Sequence, residues 1–268
     1  MDATTSDQRL VLRDVHDVAE RLITLVQEAP DLGARVPGGS SWTVAQAFAH
    51  VATVVPRYVL GPRAGVAVVD DAADLPAYNE RTLGALATDD IEELTGQVRS
   101  ALVELTELVD EFGDEPPSVR FHGGEYVRAD VGLGILLGEL VIHGWDIARA
   151  VGRPWPIEPH QAGVVVRALH PILPGWLEPR RTADHTATYE VRLRGQGTHR
   201  YVFRDGRLVV DPTDPPAPDV IMSCEPVTYL LVLYRRCGLL RGALGGKLIA
   251  FGRRPWLALS LPNRFHRP

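Results

Sequence analysis

At 268 residues and 29.4 kDa the chain is long enough for one large or two ordinary domains with substantial cores. With 45% hydrophobic and 23% charged residues it has the composition of an ordinary globular protein. A net charge of −6 and a pI near 5.8 leave no basic footprint for nucleic acid or an anionic membrane.

The opening MDATTSDQRL is polar, carries an acid early and does not read as a signal peptide. No uninterrupted apolar run reaches the roughly eighteen residues of a membrane span, so a cytoplasmic protein is expected. Cys224 and Cys237 form no CxxC pattern and are expected to be reduced. All but one of the 28 basic residues are arginine, the exception being Lys247. This bias points to a GC-rich, actinobacterial type of host.

From Gln8 to about Gln27, Leu10, Val15, Val18, Leu22 and Leu25 recur at helical spacing among charged residues and predict an amphipathic helix. Pro30 to Ser40 is a loop. Thr43 and Gln46 then form a capping box, with Trp42 placed to staple the first turn. The second helix is expected to run to about Val55, where Pro56 ends or kinks it. Arg57 to Leu86 reads as a long connection with a short helix near Asn79, and connections of this length often line a site. A third main helix follows from Asp89 to Phe112, then a loop from Gly113 to Arg128.

Val131 to Val151 is the most informative stretch. Asp130 is placed to cap it, and Gly152 and Pro154 to stop it. Leu133, Leu136, Leu137, Leu140, Val141, Ile142, Trp145 and Ile147 cover nearly the whole circumference, as in a helix buried on all sides. Glu139, His143 and Asp146 nevertheless fall within about 60° of one another and form one polar stripe. Four main helices in an up-down pattern with one long crossover predict a four-helix bundle.

After Gly152 the texture changes. RPWPIEP is linker-like, and a helical segment from His160 to His170 ends at Pro171 and Pro174. TATYEVRLRGQGTHRYVFRDGRLVV alternates around a GQG turn and an Asp205-Gly206 turn, the pattern of a β-meander. A strand at Asp219 to Ser223, a helix from Glu225 to Arg236 closed by Gly238, a short strand in GGKLIAFG and a final helix in PWLALSL complete the chain. The reading is therefore two domains, an all-α bundle over residues 1–174 and a smaller α+β domain over residues 175–268.

Three polar groups in an apolar helix need partners, because an unpaired buried carboxylate is very costly. Glu139 and His143 lie four apart on one face, and His50 is the natural third donor from a neighbouring helix, the way metal sites in bundle cores are built. Such a His-Glu-His set leaves one tetrahedral position open, as catalytic zinc sites do. Asp146, one turn on, is placed to orient a ligand. Spacing alone also admits a local hydrogen bond between Glu139 and His143 and an ordinary core histidine at position 50. Trp42 and Trp145 read as packing residues. Arg235 and Arg236 are candidates for binding an anion.

The segments WTVAQAFAHVA (Trp42 to Ala52) and GELVIHGWDIARAVG (Gly138 to Gly152) resemble the two signature regions of the mycothiol-dependent maleylpyruvate isomerase family. More loosely, DVIMSCEPVTYLLVLYRRCG and GGKLIAFG resemble that family's C-terminal domain. The resemblance implies a DinB-like metal-binding four-helix bundle followed by a sterol-carrier-protein-like α+β domain. It implies a divalent metal, usually zinc, held by His50, Glu139 and His143, with mycothiol as the thiol cosubstrate. The metal would lower the thiol pKa, and the thiolate would add to the double bond of maleylpyruvate. Rotation and elimination would then give the trans isomer. An arginine of the C-terminal domain would meet a substrate carboxylate, with Arg235 and Arg236 as the candidates and Asp146 as supporting residue.

Cis-trans isomerisation and transfer of mycothiol to an electrophile begin with the same thiolate and stay open together. The expected partner is an anionic or electrophilic small molecule, without nucleic acid or membrane. The alternatives are a specialised biosynthetic enzyme reusing the site, a metal-assisted hydrolase, and a non-catalytic small-molecule or lipid-binding protein with a vestigial site. The intact ligand set favours an enzyme.

Overall fold

The apolar spacing in the first half of the chain produces the helices its period requires. The computed structural model describes residues 3–37, 41–112 and 115–266. Helix α1 spans Ala3–Gln27, α2 Val44–Ala64, α3 Leu75–Gly84, α4 Ile91–Glu111 and α5 Ala129–Ala150. Helices α1, α2, α4 and α5 form the bundle: α1 lies along α5, and α2 packs against both α4 and α5. Helix α5 is long and apolar enough to cross a membrane by length and composition, but 78% of that stretch is buried inside the fold.

Within the bundle, local details depart from the sequence reading at α2, before α5 and at the α5 cap. Helix α2 does not end at Pro56 but continues past both Pro56 and Pro62 to Ala64. Proline removes one helical hydrogen bond at a cost of about 3 kcal/mol. Val54, Val55 and Val59, all buried, keep the flanking turns packed and offset that loss. The loop expected before α5 contains a small hairpin, β1 at Ser118–Arg120 paired antiparallel with β2 at Tyr126–Arg128; Gly113 and Asp114 lie outside the described residues. The cap of α5 is Arg128 rather than Asp130, which sits in the first turn and accepts from Arg128 at 2.8 and 3.0 Å.

Helix α6, Pro159–Leu169, packs on α5 and also meets the C-terminal half. Its close approach depends on glycine: a Cβ at Gly134 would come within 2.5 Å of the Ala168 Cβ. A 3₁₀ turn at Leu173–Trp176 spans the boundary expected from the sequence between residues 174 and 175. A short helix α7, Pro179–Thr182, leads into a five-stranded sheet. The strands are β3 Ala187–Leu193, β4 Gly197–Arg204, β5 Arg207–Val210, β6 Val220–Cys224 and β7 Leu248–Phe251. Their order is β5-β4-β3-β6-β7, antiparallel except where β6 runs parallel to β3. The meander is β3-β4-β5, with Tyr189, Tyr201 and Phe203 in its core.

Helix α8, Pro226–Leu233, is shorter than its apolar run suggests, because Arg235 adopts φ +59° and turns the chain before Gly238 is reached. Helix α9, Leu239–Leu244, precedes β7, and the last helical stretch, Pro255–Arg264, is 3₁₀. The tail then returns to the middle of the molecule: Phe265 bridges Leu177, and the His266 N–H donates to the Trp176 carbonyl at 2.8 Å.

Candidate metal centre and its cavity

His50 lies in the second turn of α2, a register fixed by the capping box in which Thr43 and Gln46 each accept from the other's backbone N–H. Glu139 and His143 lie one turn apart on α5. The two helices bring all three side chains to one point, with ligand atoms within 4.8 Å of one another. Glu139 Oε2 is 3.3 Å from His143 Nε2 and 3.9 Å from His50 Nε2, and the imidazole centroids are 4.9 Å apart. Trp42 lies over the pair, its ring centroid 4.7 Å from His50 and 6.2 Å from His143. Its indole N–H donates to Glu80 on α3 at 2.7 Å. Trp42 is thus a cover on the ligand cluster as well as a packing residue.

The electrostatics suit a cation. Burial alone would raise the Glu139 carboxyl, but hydrogen bonds and attraction from His143 and His50 outweigh it and hold the group ionised, below the usual carboxylate range. No Arg or Lys pairs with Glu139 among the described residues. Burial depresses the His50 pKa and keeps the ring neutral, with a lone pair to offer. Its Nδ1 has no hydrogen-bond partner among the described residues, so no protein group competes for that nitrogen. Two imidazoles and one carboxylate, close-set and free of lysine or arginine, are the donor set of zinc and related divalent ions. The residues present therefore fit the metal.

A second convergence involves His170, His199 and Asp211. Here Asp211 accepts from His199 Nδ1 at 2.9 Å and from the Arg200 N–H, and His170 Nε2 meets the Tyr201 hydroxyl at 3.1 Å, while His199 Nε2 has no partner among the described residues. These residues do not line the cavity beside the first cluster.

That cavity, of about 140 Å³, opens against His50 and Glu139. Its walls come from α2, from the hairpin, from α5 and from the C-terminal half through Leu233, Tyr234, Phe265 and His266. His122, in the hairpin turn, accepts the Val69 N–H on Nδ1 at 3.0 Å, so its neutral ring carries the proton on Nε2. Burial first, then the nearby Arg57 charge, push its pKa down to about 4. Burial raises the phenols of Tyr58 and Tyr234, with the Glu139 charge adding to the effect, so both stay protonated.

The remaining residues singled out from sequence sit elsewhere. Asp146 spends both carboxylate oxygens on Arg236, at 2.7 to 3.3 Å, and Arg236 also donates to the Tyr234 carbonyl at 2.7 Å. Arg235 donates to the carbonyls of Pro262 and Phe265 at 3.0 and 2.9 Å. None of the three lines the cavity. Among the basic side chains that do line it is Arg57, on the same helix as His50. Read as a helix through Pro56, the sequence puts Arg57 on the face of His50, because residues seven apart are stacked two turns on.

A family model described as the mycothiol maleylpyruvate isomerase N-terminal domain matches residues 12–148, just over half of the chain and a stretch that includes His50, Glu139 and His143. Among solved structures the fold is similar to that of a histidine-to-alanine variant of the mycothiol-dependent maleylpyruvate isomerase. The two share 15% identity over 86% of this chain and 90% of that one, with a TM-score of 0.51. A further structure of that isomerase aligns over the same shares at 16% identity and a TM-score of 0.48. A search among curated proteins finds no match. The match over residues 12–148 places this chain in the mycothiol maleylpyruvate isomerase N-terminal domain family.

Proposed function

We propose that this protein is a divalent-metal enzyme, with zinc as the metal, that uses mycothiol as a thiol cosubstrate to attack an electrophilic small molecule. The product is either a cis-trans isomer or a mycothiol conjugate. The observation that carries this reading is the convergence of His50, Glu139 and His143 beside an internal cavity. A bound divalent cation supplies Lewis acidity that lowers the pKa of a coordinating thiol, so that thiolate is present near neutral pH.

The chain's own residues do the rest. His50 and Glu139 offer a neutral nitrogen and an ionised oxygen at the cavity floor, and Trp42 covers them. The apolar walls keep water from competing with a thiolate for the acceptor. Tyr58, Tyr234 and the Nε2–H of His122 are neutral donors on those walls, suited to an oxygen that gains negative charge as the acceptor is attacked. The later part of the chain, beginning near residue 175 and read as sterol-carrier-like, supplies one wall. Cytoplasmic mycothiol is the expected thiol source.

The test is elemental analysis of protein purified without chelators, followed by incubation with mycothiol and maleylpyruvate or a test electrophile. About one divalent ion per chain is expected, with either fumarylpyruvate or a thiol conjugate as product. Metal-free protein after such a preparation refutes the proposal.

A further inference from the structure

The walls of the cavity carry a charge pattern that does not suit a substrate with two carboxylates. Most of the lining is apolar or aromatic, including Tyr58, Phe121, Ile135, Leu173, Trp176 and Phe265. Apart from His50, four basic side chains reach it: Arg57, Arg120, His122 and His266. Arg120 is paired with Asp70 at 2.5 Å, and His266 Nδ1 lies 3.6 Å from Glu178. His122 is a neutral donor, as described above. Arg57 alone of these cations lacks a carboxylate within 4 Å among the described residues.

Arg57 is also aimed. His50, Val54 and Arg57 follow one face of α2 at spacings of four and three, and all three line the cavity. The guanidinium donates to Thr53 Oγ1 at 3.2 Å and stands 5.0 Å from the centroid of the Tyr78 ring. The bond to Thr53 draws it one turn back towards His50. An anion held there is about 5–10 Å along the helix from the ligand cluster. A carboxylate taken into such a cavity needs a cation to offset its desolvation, and a second carboxylate would find no further unpaired cationic side chain among the described residues that line it.

Resting on the reading of this site as a thiol-transfer or isomerase centre, we infer that its acceptor is a largely apolar molecule with one anionic group, which Arg57 receives, rather than a small dicarboxylate. Arg57 sets specificity at one end, and the hydrocarbon part fills the aromatic wall between the hairpin and the C-terminal tail. The electrophilic carbon is left at the His50–Glu139 end.

The experiment is ligand binding to zinc-supplemented full-length protein, read by calorimetry, with three unreactive probes: 3-phenylpropanoate, 3-phenylpropanamide and maleate. The phenyl acid is expected to bind at least about tenfold more tightly than maleate, from burial of its ring. It should also bind at least about tenfold more tightly than the amide, from its charge. Arg57→Met should abolish the preference for acid over amide, and Arg57→Lys should restore part of it. Maleate binding as tightly as the phenyl acid in the wild type, or an unchanged acid preference in Arg57→Met, overturns the inference. The wild-type comparison needs no variant to fold. Metal content separates the two readings: metal-free protein that still prefers the phenyl acid refutes the metal enzyme and keeps the specificity, whereas metal-loaded protein that prefers maleate does the reverse.

Discussion

The contact between Asp146 and Arg236 ties the bundle to the C-terminal half, and removing one partner tests what it does. Asp146 is 2% exposed, and the Arg236 side chain is 10% exposed. Three nitrogen–oxygen distances between 2.7 and 3.3 Å join them. Asp146→Ala would leave the guanidinium buried with only the Tyr234 carbonyl as partner. Loss of one member of a buried pair costs about 3–5 kcal/mol, because the other charge is left without compensation. Arg236→Met should cost a similar amount by stranding the carboxylate. The double variant should lose far less than the sum, about 2 kcal/mol or less, because no charge is then left inside.

Urea unfolding at neutral pH, followed by far-ultraviolet circular dichroism and by tryptophan fluorescence, gives all four corners of the cycle. Metal content should not change in Asp146→Ala, since neither carboxylate oxygen faces the ligand cluster. A loss below about 1 kcal/mol in Asp146→Ala, or losses that simply add in the double variant, would refute the coupling. Loss of metal with stability intact would instead make Asp146 a ligand-orienting residue.

His50→Ala should reduce the bound divalent ion from about one per chain to near zero, while His199→Ala should leave it unchanged, because the carboxylate of the second cluster is already taken by His199 Nδ1 and the Arg200 N–H; plasma emission spectroscopy reads both. Gly144→Ala should destabilise the fold, since the new Cβ would lie 2.0 Å from the Trp155 ring, whose N–H is fixed on the Val141 carbonyl at 3.0 Å. Overpacking of about 1–3 kcal/mol should exceed the gain of up to about 1 kcal/mol in helix propensity, and the shift in urea midpoint measures the balance. His185 is buried with its Nε2 3.0 Å from the Tyr189 hydroxyl, and burial, then Arg264 and Arg254, push its pKa down to about 4. The unfolded chain takes up this proton below about pH 6.5 and the folded one does not, so stability falls as pH drops from there towards 4. Between pH 7 and 4.5 this amounts to about 2 kcal/mol, which His185→Gln should remove from the pH dependence of unfolding.

The convergence of His50, Glu139 and His143 was legible because each of them breaks a local pattern. Glu139 and His143 interrupt a helix that is otherwise apolar, and His50 does the same in a helix whose register is set by its first turn. The rest of the cavity was hidden for different reasons. Pro56 carries a strong local signal for a helix end, and tertiary burial of Val55 and Val59 overrides it. Reading it as an end moves Arg57 from the face of His50 into a supposed loop. The hairpin strands are three residues each, too short for alternation to register. Tyr234, Phe265 and His266 join the walls through contacts far apart in the chain, which no window of sequence reports. Arg235 and Arg236 looked like free cations because nothing local shows that carbonyls and a carboxylate on α5 receive them.

The order of these parts along the chain has a consequence of its own. Every proposed metal-binding residue precedes position 144, whereas Leu233, Tyr234, Phe265 and His266 bring up one side of the chamber from beyond position 230. The His50–Glu139–His143 cluster and the far wall of the cavity are thus written in separate stretches of polypeptide, while Arg57 shares α2 with His50. Substituting within the later stretch can therefore redraw that wall while the three side chains gathered between α2 and α5 stay as they are.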